Sequence, residues 1–159
     1  MSLIAIISNN KQSINRKLLL YASKHTPSLI IDCANVANPH SLSDANLHEI
    51  YVIELELLYK FRDVLLRVPS LVRQIKAKKI IVTTSDHLFN YQDEKENNNI
   101  IEHAWELMRK IGEKYTIVVG LKENSMHEKF AKKYAHLLGV DQNRTYSIKP
   151  TYDGRYNFK

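Results

Sequence analysis

The chain has 159 residues, 44% of them hydrophobic, which suits one domain with its own core and predicts a single domain over 1–159. Twenty-three Lys and Arg against 17 Asp and Glu give a formal charge of +6, which permits contact with a polyanion and equally describes a solvated basic surface. With four Gly, four Pro, no apolar run near the roughly 20 residues of a membrane span, no secretory leader and a single Cys33, the expectation is a cytoplasmic globular protein without anchor, disulfide or cysteine zinc site.

An apolar strand, Ser2 to Ile7, comes first, and Asn15 to Lys24 carries Leu18, Leu19, Tyr21 and Ala22 at helical spacing. Between them, Ser8-Asn9-Asn10-Lys11-Gln12-Ser13-Ile14-Asn15 has the length of the phosphate-binding pattern G-x-x-x-x-G-K-[ST] and none of its chemistry. Ser8 and Ser13 stand at the glycine positions, Ile14 at the lysine and Asn15 at the magnesium ligand. Leu29 to Asp32 and Ile50 to Ile53 read as further buried strands. A helix is expected over Leu55 to Arg67, broken or restarted at Pro69 and continued from Ser70 to Lys76. Lys79 to Thr83 is the next strand, and the acidic, Asn-rich Gln92 to Asn99 an exposed loop. The helix Asn98 to Lys114 places Ile101, Trp105, Met108 and Ile111 on one face, and the strand Tyr115 to Val119 follows. A last helix is expected over Met126 to Leu138 with Gly139 as its C-cap, then a hairpin whose arms are Arg144 to Lys149 and Arg155 to Lys159.

Strand alternating with helix predicts an α/β fold: a mostly parallel sheet, right-handed crossovers, helices on both faces and an antiparallel hairpin at the edge. Ligands of such sheets bind beyond the carboxyl ends of the strands.

The run Ile50 to Ile53, the helix Leu58 to Leu66, the restart Arg67-Val68-Pro69-Ser70-Leu71-Val72 and the strand leading to Asp86-His87-Leu88-Phe89 resemble the core of the RecA/RadA recombinase superfamily, above all its archaeal paralogues. The likeness extends to Ile30-Ile31-Asp32-Cys33-Ala34-Asn35 and the C-terminal hairpin. It implies a RecA-like, P-loop NTPase type three-layer sandwich. Carried over position by position, the phosphate-loop lysine falls on Ile14, the magnesium-binding hydroxyl on Asn15, the Walker B aspartate on Thr83 and the water-activating acid on Ala34. None supplies the charge on which phosphoryl transfer depends. The resemblance therefore implies a paralogue with degenerate Walker motifs. Its expected role is as an accessory factor in DNA recombination or repair, without catalysis or cofactor, that binds DNA, associates with an active recombinase or paralogue, or self-associates.

In that family, loops at the carboxyl ends of later strands face DNA. Asn90 to Asn99 is too acidic for this, with Asp93, Glu94 and Glu96 against Lys95. Lys122, Lys129, Lys132 and Lys133, interleaved with Phe130 and Tyr134, are the candidate DNA-binding residues, set against a reading in which the two aromatics belong to the core.

One alternative is a PIN/NYN-like metal-dependent nuclease, because Asp32 ends a strand with Asn35 three residues on, and Thr84-Ser85-Asp86 follows a later one. Asp32, Asp86 and Asp93 would then hold a divalent cation. Another is a protein-interaction scaffold without nucleic acid. The seven histidines lack H-x-H and H-E-x-x-H spacing, so they predict no metal site. Cys33 and Trp105 read as core residues.

Overall fold

The protein, seen in a computed structural model, is described over residues 1–38, 42, 49–86, 88, 93–141 and 144–147. Its elements are β1 (Leu3–Ser8), α1 (Lys11–Lys24), β2 (Ser28–Asp32), β3 (Ile50–Glu54), α2 (Leu58–Ile75), β4 (Lys79–Val82), α3 (Glu94–Gly112), β5 (Thr116–Lys122), α4 (Glu128–Tyr134), β6 (His136–Asp141) and β7 (Arg144–Ser147). Every residue of β1 and β2 is buried, because a strand in the middle of a parallel sheet is covered on both faces; all are apolar except Ser8, Ser28 and Asp32 at the strand ends.

The strands form one sheet in the order β3-β2-β4-β5-β1-β6-β7. The first six are mutually parallel, and β7 pairs antiparallel with β6 at the edge. On one face α2, α3 and α4 bury Phe61, Val64, Leu65, Trp105, Met108 and Phe130 against Leu3, Ala5, Ile31, Val82 and Val119. On the other, α1 buries Ile14, Leu18, Leu19 and Ala22 against Ile4, Ile6, Ile30, Ile81 and Val118. This is a three-layer α/β sandwich.

Helix α1 comes close to the sheet because β5 offers Gly120 beneath it. A Cβ there would lie 2.8 Å from Leu18 Cδ1 and 2.9 Å from Ile14 Cγ2. Outgoing connections also change face between neighbouring strands: β1 leads to α1, whereas its neighbour β5 leads to α4 on the opposite face. The crevice beyond β1, β5 and β4 is where such a fold places its ligands.

Several boundaries differ from those expected. Pro69 neither breaks nor restarts its helix; α2 runs unbroken for 18 residues and ends at Lys76 in the left-handed conformation. The acidic stretch is not a loop but the opening of α3: the Asp93 side chain accepts the Glu96 N–H, and Glu94 and Glu96 occupy the first turn, where the helix dipole favours negative charge. Helix α4 stops at Tyr134, and His136 to Asp141 forms β6 beside β1, so Gly139 is a strand residue and caps no helix. Residues 142–143, between β6 and β7, and the second hairpin arm, Arg155 to Lys159, lie outside the described residues. So do His87 and Asn90.

Candidate functional site

Helix α1 begins at Lys11, so the expected eight-residue phosphate loop is a two-residue connection, Asn9-Asn10. Ser13, Ile14 and Asn15 belong to the helix and to no loop. Asn10 is the N-cap, its side chain accepting the Ser13 N–H at 3.1 Å while its carbonyl accepts the Ile14 N–H at 3.2 Å. Asn10 in turn donates its own N–H to Ser8 Oγ at 3.1 Å. Three backbone donors that a phosphate could have used are thus spent on the chain itself. Ile14 is fully buried against the sheet and points away from the crevice. The sequence reading passed over Lys11, at the first helical position. An Asn followed three residues later by its N–H partner is the capping signal that would have found it.

Beyond β1 and β4, two buried side chains lock together. Asn15 Nδ2 donates to Thr84 Oγ1 at 3.0 Å, and the Thr84 N–H donates to Asn15 Oδ1 at 3.1 Å. Asn15 stands where the pattern would place a magnesium ligand, and its carboxamide is satisfied within the protein.

Beyond β2, the fully buried Asp32 carboxylate organises the turn that follows it. Its oxygens accept the N–H groups of Ala34, Val36 and Ala37 at 2.9–3.3 Å, and Thr83 donates its hydroxyl to Oδ1 at 3.1 Å. The same hydroxyl accepts the N–H groups of Cys33 at 2.7 Å and Ala34 at 3.1 Å. Asp32 therefore acts as a hub for 33–37, and that web accounts for Asn35 taking a left-handed conformation (φ 56°). Burial, reinforced by the Asp32 charge, pushes the Cys33 thiol far above its ordinary range, as expected of a core residue.

Asp86 pairs with Lys11 at 3.0 Å across the crevice. Asp93, the third ligand of the nuclease reading, serves as the α3 N-cap. Asp32 and Asp93 accept from protein donors, and Asp86 Oδ2 pairs with Lys11. Among the described residues, the buried Asp86 Oδ1 has no hydrogen bond, and no cluster of three or more His, Cys, Asp or Glu suited to a metal occurs.

Below this pair lies a buried polar chain. Trp105 donates Nε1–H to His127 Nδ1 at 3.1 Å, which leaves the neutral ring its proton on Nε2, donated to Ser85 Oγ at 3.2 Å. Burial lowers the His127 pKa to about 4, despite the opposing pull of Asp86. A ring whose Nε2 is already a donor cannot take the serine's proton, so this pair ties the segment after β4 to the start of α4 and is no nucleophile with its base.

Helix α4 decides between the two readings of its aromatics in favour of the core. Phe130 and Tyr134 are only 8% and 7% exposed and belong to the core, offering no face to a base. Tyr134 donates its hydroxyl to Glu106 at 3.1 Å, and Lys133 pairs with Glu102 at 3.1 Å. Lys122, Lys129 and Lys132 stay exposed, and Lys129 Nζ itself lies over the Phe130 ring, 4.8 Å from its centroid. What remains open at the carboxyl edge is a cavity of about 680 Å³ between α1 and the turn after β2, lined by Lys11, Gln12, Arg16, Ala34, Val36 and Thr84.

No protein-family model and no curated protein matches the chain. Among solved structures it is similar to the crystal structure of a KaiC-like protein from the hyperthermophilic archaeon Pyrococcus horikoshii. The match has a TM-score of 0.62 at 9% identity and covers 89% of this chain and 73% of the other. At that identity the likeness is one of fold: the chain has a KaiC/RecA-like α/β architecture. No helix among the described residues is long and apolar enough to cross a membrane.

Proposed function

We propose that this chain is a catalytically inactive RecA-type domain, a recombinase paralogue that serves as an accessory factor in DNA recombination or repair by contacting DNA or an active recombinase. The observation that carries the first half is that the side chains at the motif positions beside the cavity are satisfied by one another. Asn15 with Thr84, and Asp32 with Thr83, occupy with protein hydrogen bonds the positions where a nucleotide, its metal and its attacking water would need donors and carboxylates. Phosphoryl transfer needs positive charge and Mg²⁺ around the terminal phosphate. Here Lys11 is neutralised by Asp86, while Thr83 and Ala34 bring no carboxylate. A domain without a reaction retains the scaffold's capacity to bind, and the +6 charge suits a polyanionic or acidic partner.

The test is ATP binding and turnover. Titration with a fluorescent ATP analogue in Mg²⁺, alongside a phosphate-release assay, should show no saturable binding below millimolar concentration and no release above buffer. Saturable Mg²⁺-dependent hydrolysis abolished by Lys11→Ala would overturn the reading.

A further inference from the structure

The opposite edge of the sheet carries a different chemistry. Helices α2 and α3 lie on one face, pack against each other and end at the amino edge, where the chain turns back into β4 and β5. The register aligns Ser28, Lys79 and Thr116 across β2, β4 and β5, and the Lys78 N–H donates to the Pro27 carbonyl at 2.7 Å, fixing that turn beside the segment leaving α1. Two basic stretches of sequence therefore converge, 73–79 and 109–115, with Glu113 the sole acid in either. Arg73, Lys76, Lys78, Lys79, Lys110 and Lys114 have no ion pair among the described residues. The helix dipole accounts for a cation in a last turn such as Arg73 or Lys110; it does not call for Lys76, Lys78, Lys79 and Lys114 beyond the helix ends.

Between these cations, α2 and α3 leave a groove of about 400 Å³. Leu66 and Pro69 form one wall, Leu107, Ile111 and Tyr115 the other, and Arg73, Lys110 and Lys114 the rim, together with the single acid Glu113. Leu66 is 57% exposed within it. The carboxyl edge is mixed in charge, with Asp86, Asp93, Glu94, Glu96 and Glu123 around its connections beside Lys11, Arg16, Lys95 and Lys122.

We propose that the amino edge is a binding surface for single-stranded nucleic acid. Phosphates lie along the six cations, and a base enters the groove beside Tyr115, its apolar walls supplying contact that does not depend on sequence. The cations extend past the groove along the sheet edge, which matches the repeated charge of a phosphate backbone better than the scattered acids of a docking peptide. This rests on the DNA-contact half of the proposed function and places that contact at the end of the sheet opposite the loops that the RecA resemblance assigns to it.

The experiment follows the anisotropy of fluorescein-labelled dT20 over a salt series with four proteins: wild type, Arg73→Ala/Lys114→Ala, Tyr115→Ala, and Lys122→Ala/Lys129→Ala/Lys132→Ala. All the substituted cations are exposed, and circular dichroism verifies that each variant is folded. Wild type should bind with log K falling linearly in log salt. The Arg73/Lys114 variant should bind about tenfold or more weakly, with a slope shallower by about 0.7 for each phosphate contact removed. Tyr115→Ala should weaken binding at least about fivefold with the slope unchanged, and the Lys122/Lys129/Lys132 variant should match wild type. Loss confined to the last variant would overturn the amino-edge site and leave the proposed function standing. No binding of dT20 by wild type at low salt would overturn both this site and the DNA-contact role, independently of the ATP result. Equal displacement of dT20 by polyglutamate would overturn the nucleic-acid assignment in favour of an acidic protein segment.

Discussion

Asn15 and Thr84 exchange two hydrogen bonds across 69 residues of sequence, tying the second turn of α1 to the segment leaving β4. Both residues are buried at the wall of the carboxyl-edge cavity, so a group left unpaired there is only poorly compensated by water. Thr84→Val keeps the shape and strands an amide N–H, which should cost about 1–3 kcal/mol in urea unfolding. Asn15→Ala should cost a similar amount. In the double variant the losses should fall short of additive by about 1 kcal/mol or more, the coupling expected of one shared network. Additive losses would mean that the two side chains do not depend on each other.

Restoring the motif's lysine should fail. Ile14 is fully buried among Leu18, Ile6 and Val118, with Gly120 beneath it, and does not face the crevice where phosphate would lie. Ile14→Lys buries an unpaired ammonium in the α1 layer, which costs several kcal/mol. Thermal unfolding should occur at least about 10 °C lower than in wild type, and ATP should produce no compensating upward shift. A stable variant whose melting temperature rises with added ATP would show that Ile14 does occupy a phosphate-loop position.

The sheet was legible in the sequence wherever burial on both faces forces a continuous apolar run: β1, β2, β4 and β5 stand close to the positions expected of them. The same rule misled at His136-Leu137-Leu138-Gly139-Val140, because a short apolar run next to a helix satisfies helical and extended spacing alike, and its pairing with β1 is invisible locally. Pro69 lacks an N–H, yet α2 continues through it; the tertiary packing of Leu65, Val68 and Val72 outweighs the local preference. The candidate site was less legible. Reading eight residues as a loop hid the Asn10 cap, and no spacing rule joins Asp32 to Thr83 or Arg73 to Lys114, which only the strand order brings together.

Asp32 sustains the turn after β2. Asp32→Asn replaces two acceptor oxygens with one oxygen and an NH₂ that meets backbone N–H groups head on, leaving donors among Ala34, Val36 and Ala37 unpaired. The expected loss is about 2–4 kcal/mol in chemical denaturation. Native-state hydrogen exchange should rise first at the amides of 33–37. A variant as stable as wild type, with unchanged protection there, would free this carboxylate for a role other than holding the turn.

His127 makes stability depend on pH. Its folded pKa is about 4, against about 6.5 for the same ring in the unfolded chain, so between those values the unfolded state takes up a proton that the folded state refuses. More protons bound when unfolded means that stability rises with pH. The contribution is complete above about pH 6.5 and is lost as pH falls toward 4, reaching about 3 kcal/mol. Urea midpoints followed through Trp105, the single tryptophan and the donor to this ring, should fall steadily from pH 7 to pH 4.5. His127→Gln retains a donor for Ser85 but none of the titration. It should start lower at pH 7 and run nearly flat over the same window. A variant retaining the full wild-type slope would show that other groups govern the acid sensitivity and that the buried ring contributes nothing to it.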